Sequence, residues 1–168
     1  EPALARWKYE PIRKVWRNRL QDPQSRGSRL RYAMTGLAIF EDKGCVARLL
    51  EMVQEPLEMT VRLRAAEALA ELRHEGLETT ARRLMAAADV PPRLERLLAV
   101  TLLKHHRGGV TQELLLEMTG PREEPVVAAR ALSRLFDLDP DAAARIARET
   151  ISSPDARLRL MSIPMLET

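Results

Sequence analysis

The sequence predicts an all-α fold: a right-handed α-solenoid of about four to five antiparallel helix pairs with an N-terminal capping helix. Three observations carry this expectation. A helical phrase, Val61-Arg62-Leu63-Arg64-Ala65-Ala66-Glu67-Ala68-Leu69-Ala70-Glu71-Leu72, recurs in weaker copies about every 32 residues. Prolines and glycines punctuate the chain at the same period. No segment reads as a strand. A unit this short cannot bury its own apolar face, so it must stack on its neighbours.

The first element, residues 1–22, is read as a basic amphipathic capping helix. Ile12, Val15, Trp16 and Leu20 form one apolar stripe, with Arg13, Lys14, Arg17 and Arg19 on the other faces. Pro11 suits a helix start. A solenoid needs its first apolar face covered, so Trp7, Val15 and Trp16 are expected to pack on the first repeat. The competing reading is an arm for nucleic acid or an anionic membrane surface, carried by Arg13, Lys14, Arg17 and Arg19. A juxtamembrane segment is a third. Residues 1–32 hold nine basic and three acidic residues, leaving +6 there and −3 in the remainder of a chain whose net charge is +3. Basicity thus belongs to one end.

The repeats follow over 23–168, in units of about 23–54, 55–88, 89–120 and 121–152, with a partial unit at 153–168. Aligned on the middle of each first helix, one column reads Met34, Ala66, Ala99, Ala129, Met161, in steps of 32, 33, 30 and 32 residues. Three positions on lies a leucine column: Leu37, Leu69, Leu102, Leu132, with Pro164 in the fifth place, where the last helix is expected to break. Gly44, Gly76 and Gly109 form a third column, read as the positive-φ residues that stop each first helix. First helices are expected at 24–42, 57–73, 92–106, 123–137 and 155–167, and second helices at 45–54, 77–87, 110–119 and 140–151. The second helices carry their own stripes: Val46, Leu49, Leu50, Val53; Leu77, Ala81, Leu84, Met85; Val110, Leu114, Met118. Asp22-Pro23, Glu55-Pro56, Pro91-Pro92, Gly120-Pro121 and Ser153-Pro154 separate the units.

With Pro56 ahead of it and Gly76 after it, the phrase Val61-Arg62-Leu63-Arg64-Ala65-Ala66-Glu67-Ala68-Leu69 resembles the HEAT-like repeat family, in its short-unit, phycobilisome-lyase type. The resemblance covers most of 21–163 and is strongest in 55–87. It implies helix pairs whose second helices line a concave face. The polar positions there are Arg48 and Glu51; Glu78, Arg82 and Arg83; Gln112 and Glu113; Arg145, Arg148 and Glu149. Partner binding is assigned to Arg48, Glu51, Arg82, Arg83, Gln112, Arg145 and Arg148, because a guanidinium fork pairs bidentately with carboxylates. The bland alternative is a solvated face laced with ion pairs.

Parts for catalysis are sparse. Three histidines and one cysteine leave little for nucleophilic chemistry. Cys45 excludes an intrachain disulfide and reads as a small buried hydrophobe. The single pair His74-Glu75 cannot fill a coordination sphere, unlike the recurrent His-Glu pairs of HEAT-like di-iron hydroxylases. Adjacent His105 and His106 diverge on a helix and suit a helix C-terminus. Gly108-Gly109 lacks the lysine and the preceding strand of a phosphate loop. Glu123, Glu124, Asp137, Asp139 and Asp141 fall at helix starts and turns, without the spacing of a calcium loop. Lyase-like or glycosylase-like activity of HEAT relatives is kept as an alternative, although Trp7 and Trp16 both precede the repeats.

The expected function is therefore a non-catalytic scaffold or regulatory module that binds another protein. It needs no cofactor or metal. Nucleic acid or a membrane surface is the secondary partner. Opening at Glu1-Pro2 and ending on an unpaired first helix, the chain reads as a piece of a longer protein, with continuation or self-association at the open C-terminal unit. No run of about 18 apolar residues spans a membrane. The expected location is cytoplasmic, including as the soluble domain of a membrane-anchored protein.

Overall fold

Helices start at prolines and acidic caps in the computed structural model, which describes residues 2–86 and 92–166. Among these residues there are eleven α-helices and no strand. They are α1 (Pro2–Arg6), α2 (Glu10–Gln21), α3 (Gly27–Ile39), α4 (Val46–Gln54), α5 (Met59–Glu71), α6 (Leu77–Met85), α7 (Arg93–Leu102), α8 (Gly109–Glu117), α9 (Pro125–Phe136), α10 (Pro140–Thr150) and α11 (Ala156–Leu166). Single 3₁₀ turns at Lys43–Cys45 and Leu103–His105 precede α4 and follow α7. Pro11, Pro125 and Pro140 occupy first turns, where the missing N–H is no loss. Asp139 caps α10 by accepting from the Ala142 N–H at 2.9 Å. The expected positions Ala87, Pro91 and Glu167 lie outside the described residues.

The first helices end differently from the sequence expectation. Gly76 takes a positive φ, but Gly44 and Gly109 do not. Gly44 sits inside a 3₁₀ turn and Gly109 opens α8. The left-handed residue just after each of α3 and α5 is instead Glu41 (φ 53°) or Arg73 (φ 48°), which are 32 residues apart. Behind α3, the Glu41 N–H donates to the Ala38 carbonyl at 2.9 Å and the Asp42 N–H to the Leu37 carbonyl at 3.0 Å. This is the paired closure that normally recruits glycine. Lys8 (φ 50°) closes α1 in the same way, with bonds from Lys8 to Ala5 and from Tyr9 to Leu4.

The chain divides into two compact units, Glu1–Leu77 and Glu78–Thr168. In the first, α1 and α2 pack on α3, and α3 and α4 pack on α5. Its core holds Trp16, Leu20, Met34, Leu37, Leu49, Met52, Val53, Ala65, Ala66 and Leu69. Trp16 lies flat on Gly36, where a Cβ would come 2.3 Å from its Cζ3. Phe40 meets the same indole edge-on at 5.9 Å. Trp16 alone of the three expected packing residues is buried. Trp7 is 76% and Val15 41% exposed. The helix phase explains Val15, because Trp16 and Leu20 point at α3 and their neighbour turns outward. Trp7 falls in the α1–α2 turn, outside the stripe. Buried Arg62 donates its Nε–H to the Val53 carbonyl at 2.9 Å, satisfying an end carbonyl of α4.

In the second unit α9 is central, touching α7, α8, α10 and α11, and α10 also packs on α11. Leu98, Leu102, Leu115, Met118, Val127, Ala131, Leu135 and Ala143 fill its core. Arg134 repeats the Arg62 device, donating to the carbonyls of Leu103 at 3.3 Å and His106 at 2.7 Å. Two expectations fail here. Val110 is exposed, because α8 buries Thr111, Leu114 and Leu115 instead. Pro164 does not break α11, which runs to Leu166. It lies in the last turn, where its missing N–H removes a single terminal bond.

Candidate functional site

In the second unit side chains link α6 to α8 and α8 to the cap of α10. Glu78 near the start of α6 accepts from the Thr111 hydroxyl at 3.4 Å and lies 2.9 Å from His106 Nδ1. Arg82 on α6 faces Glu113 on α8 at 3.5 Å. Gln112 on α8 donates to Asp139, the cap of α10, at 2.6 Å. An open depression of about 200 Å³ between α6 and α8 is floored by Met85 and Leu114 and rimmed by Arg82, Glu113 and Glu117.

The expected partner residues are not equivalent. Gln112 is committed to Asp139. Arg82 is engaged only loosely, since both members of its pair are more than half exposed and such pairs contribute little. Arg83 is exposed. Arg145 and Arg148 stand exposed on α10, three residues apart and so neighbours on one face, with no ion pair to a described residue. In the first unit, Arg48 is held by Glu51 at 3.0 Å and Glu55 at 2.8 Å, which raises its pKa through the hydrogen bonds with Glu55 and then Glu51. Arg48 and Glu51 thus satisfy each other within α4.

The basic arm is also partly spent. Asp42, 1% exposed, accepts from Arg17 Nε at 2.6 Å, from the second Arg17 nitrogen at 2.7 Å and from Arg13 Nε at 2.8 Å. The Gly44 N–H adds a fourth bond at 3.1 Å. The Arg17 fork, followed by Arg13 and the Gly44 amide, holds the Asp42 carboxyl well below the usual carboxylate range against the opposing cost of burial. The cluster locks α2 to the turn between α3 and α4. Lys14 remains exposed and Arg19 half-buried. The sequence signal for Asp42 was its place two residues before Gly44, but its partners lie 25 and 29 residues away.

Cys45 is buried, and its thiol donates to the Asp42 carbonyl at 2.9 Å. Burial, reinforced by the Asp42 charge, pushes its pKa up to about 11. Such a thiol is a poor nucleophile at neutral pH. His74 is half-buried and Glu75 exposed in the turn before α6. Among the described residues no three His, Cys, Asp or Glu side chains converge as a metal site. Glu123 and Glu124 pair with Arg96 at 3.3 Å and Arg93 at 3.0 Å, tying α7 to the start of α9. Asp137 pairs with Arg134 at 3.3 Å. Among the described residues no helix is long and apolar enough to cross a membrane.

Comparison of the chain with protein-family models, curated proteins and solved structures finds no match.

Proposed function

We propose that the chain is a HEAT-like, right-handed α-solenoid and acts as a non-catalytic protein-interaction module. The observation that carries this reading is the run of side-chain links from α6 to α8 and from α8 to the cap of α10, through Glu78–Thr111, Arg82–Glu113 and Gln112–Asp139, which suits a layer of second helices. A repeat protein offers its partner such a layer of equivalent helices. The 32-residue spacing of Glu41 and Arg73 and the buried leucine column support the repeat. Arg145 and Arg148 are the anchors, because their forks are exposed and free to meet carboxylates. The Arg82–Glu113 pair can open at little cost and add a second contact. The partner is therefore a protein segment bearing acidic residues.

The test is affinity capture with the chain as bait, after nuclease and at physiological salt, comparing wild type with Arg145→Glu/Arg148→Glu. A protein held stoichiometrically by wild type and lost from the variant, at equal helicity by circular dichroism, supports the assignment. Equal recovery by both would remove the role of α10. Catalytic turnover of any captured substrate would replace the scaffold reading with the enzyme alternative.

A further inference from the structure

We propose that the α1–α2 turn is an interfacial anchor that docks the chain on an anionic phospholipid surface, with Trp7 and Tyr9 entering the headgroup layer. Trp7, at 76%, is the most exposed large apolar side chain among the described residues, and Tyr9 beside it is 51% exposed. Trp16, nine residues on, is wholly buried, so unit one spends one indole on its core and leaves the other outside.

The tip is held firmly. Ala5 is fully buried and α1 packs on α3. The left-handed Lys8 closes α1 through Lys8 N–H to Ala5 at 3.0 Å and Tyr9 N–H to Leu4 at 3.1 Å. The two rings therefore project from a built turn.

The chemistry around the tip matches a charged bilayer surface. Arg6, Lys8 and Lys14 are exposed, as is Val15 on α2. Lys14 and Val15 stand within about 9 Å of axial rise from the start of α2. Glu10 is the one acid between residues 6 and 15, and it faces Arg13 at 3.5 Å. Indole and phenol side chains prefer the boundary between headgroups and acyl chains, and basic side chains meet the lipid phosphates. Trp16 and Leu20 already bury the apolar face of α2, so the tip enters while the helix does not lie flat. Single-stranded nucleic acid asks for successive stacking rings along a basic groove. A protruding pair of rings next to an aliphatic side chain fits lipid better.

The experiment uses the full chain with phosphatidylcholine vesicles, with and without phosphatidylserine. Co-sedimentation is expected with the anionic vesicles only, together with a blue shift and brominated-lipid quenching of indole fluorescence. The quenching reports Trp7, since Trp16 is buried. Trp7→Ala/Tyr9→Ala should weaken binding by about tenfold or more, and Arg6→Glu/Lys14→Glu should abolish it. All four positions are exposed, and circular dichroism verifies that the variants fold. No sedimentation with anionic vesicles, absence of lipid quenching in wild type, or unchanged binding by Trp7→Ala/Tyr9→Ala would overturn the proposal. So would the same blue shift with an oligonucleotide in place of lipid. The partner-capture test at Arg145 and Arg148 is independent of each outcome.

Discussion

Gly36→Ala should destabilise the first unit severely, although alanine is the better helix former. The added Cβ would lie 2.3 Å from Trp16 Cζ3, 2.5 Å from Cε3 and 2.6 Å from Cη2. Carbon atoms rest at about 3.5–4.0 Å, so all three contacts are too short by roughly 1 Å. The indole cannot swing away, being fully buried with Phe40 edge-on against it. Ejecting it forfeits about 200 Å² of burial, or about 5 kcal/mol at ~25 cal/mol per Å². Shifting α2 off α3 costs about 1–3 kcal/mol and sometimes more. Replacing glycine within a helix returns about 1 kcal/mol. The expected net loss is therefore up to about 2 kcal/mol if α2 shifts and about 4 kcal/mol if the indole is ejected, read by urea unfolding with near-ultraviolet circular dichroism on Trp16. In a Trp16→Leu background the obstruction is gone, and Gly36→Ala should turn neutral or stabilising by up to about 1 kcal/mol. Equal stability of Gly36→Ala and wild type, or a loss that persists without the indole, would refute the steric account.

Two further perturbations probe the links between helices. Asp42→Asn should cost about 2–3 kcal/mol at neutral pH, because it leaves the buried position without the charge that Arg17 and Arg13 grip. Folding lowers the Asp42 pKa, so its contribution is complete above the unfolded value of about 3.9 and is lost as pH falls through the lower folded value. The gap between wild type and variant in denaturant midpoint should therefore close below about pH 4, and a gap constant down to the acid transition would contradict the ion-pair account. Glu41→Gly and Arg73→Gly should each stabilise by about 0.5–1 kcal/mol, since glycine removes the cost of a left-handed backbone. A fall in thermal midpoint for both would show that their side chains outweigh backbone relief.

Element type was legible because it follows from local chemistry. Proline at 11, 125 and 140 starts helices and the Leu37, Leu69, Leu102, Leu132 column is buried, as period and capping demand. The stop signals were misread at Gly44 and Gly109 because glycine permits a left-handed backbone without requiring it. Hydrogen-bond closure behind α3 and α5 selected Glu41 and Arg73 instead. Ala99 and Ala129 follow the column, whereas the demand for glycine at 36 arises from Trp16, twenty residues earlier, and no local pattern marks it.

The candidate surfaces were harder to read, for a reason that recurs through the chain. An arginine's role depends on which carbonyl or carboxylate lies within reach, and for Arg13, Arg17 and Arg134 those partners lie 25 to 31 residues away. Arg62 and Arg134 resemble surface charges in the sequence, yet they satisfy end carbonyls at Val53, Leu103 and His106. Arg13, Arg17 and Arg48 are likewise engaged by carboxylates. Subtracting such residues leaves Arg145 and Arg148 on α10, and Arg6, Lys8 and Lys14 near Trp7 in the chain, among the exposed cations. The two sets differ in company. The α10 pair lies in the unit that also carries, between α6 and α8, a depression of mixed charge with a small apolar floor, the makings of a protein contact. The α1–α2 tip joins exposed cations to two exposed rings, which suits a lipid headgroup layer.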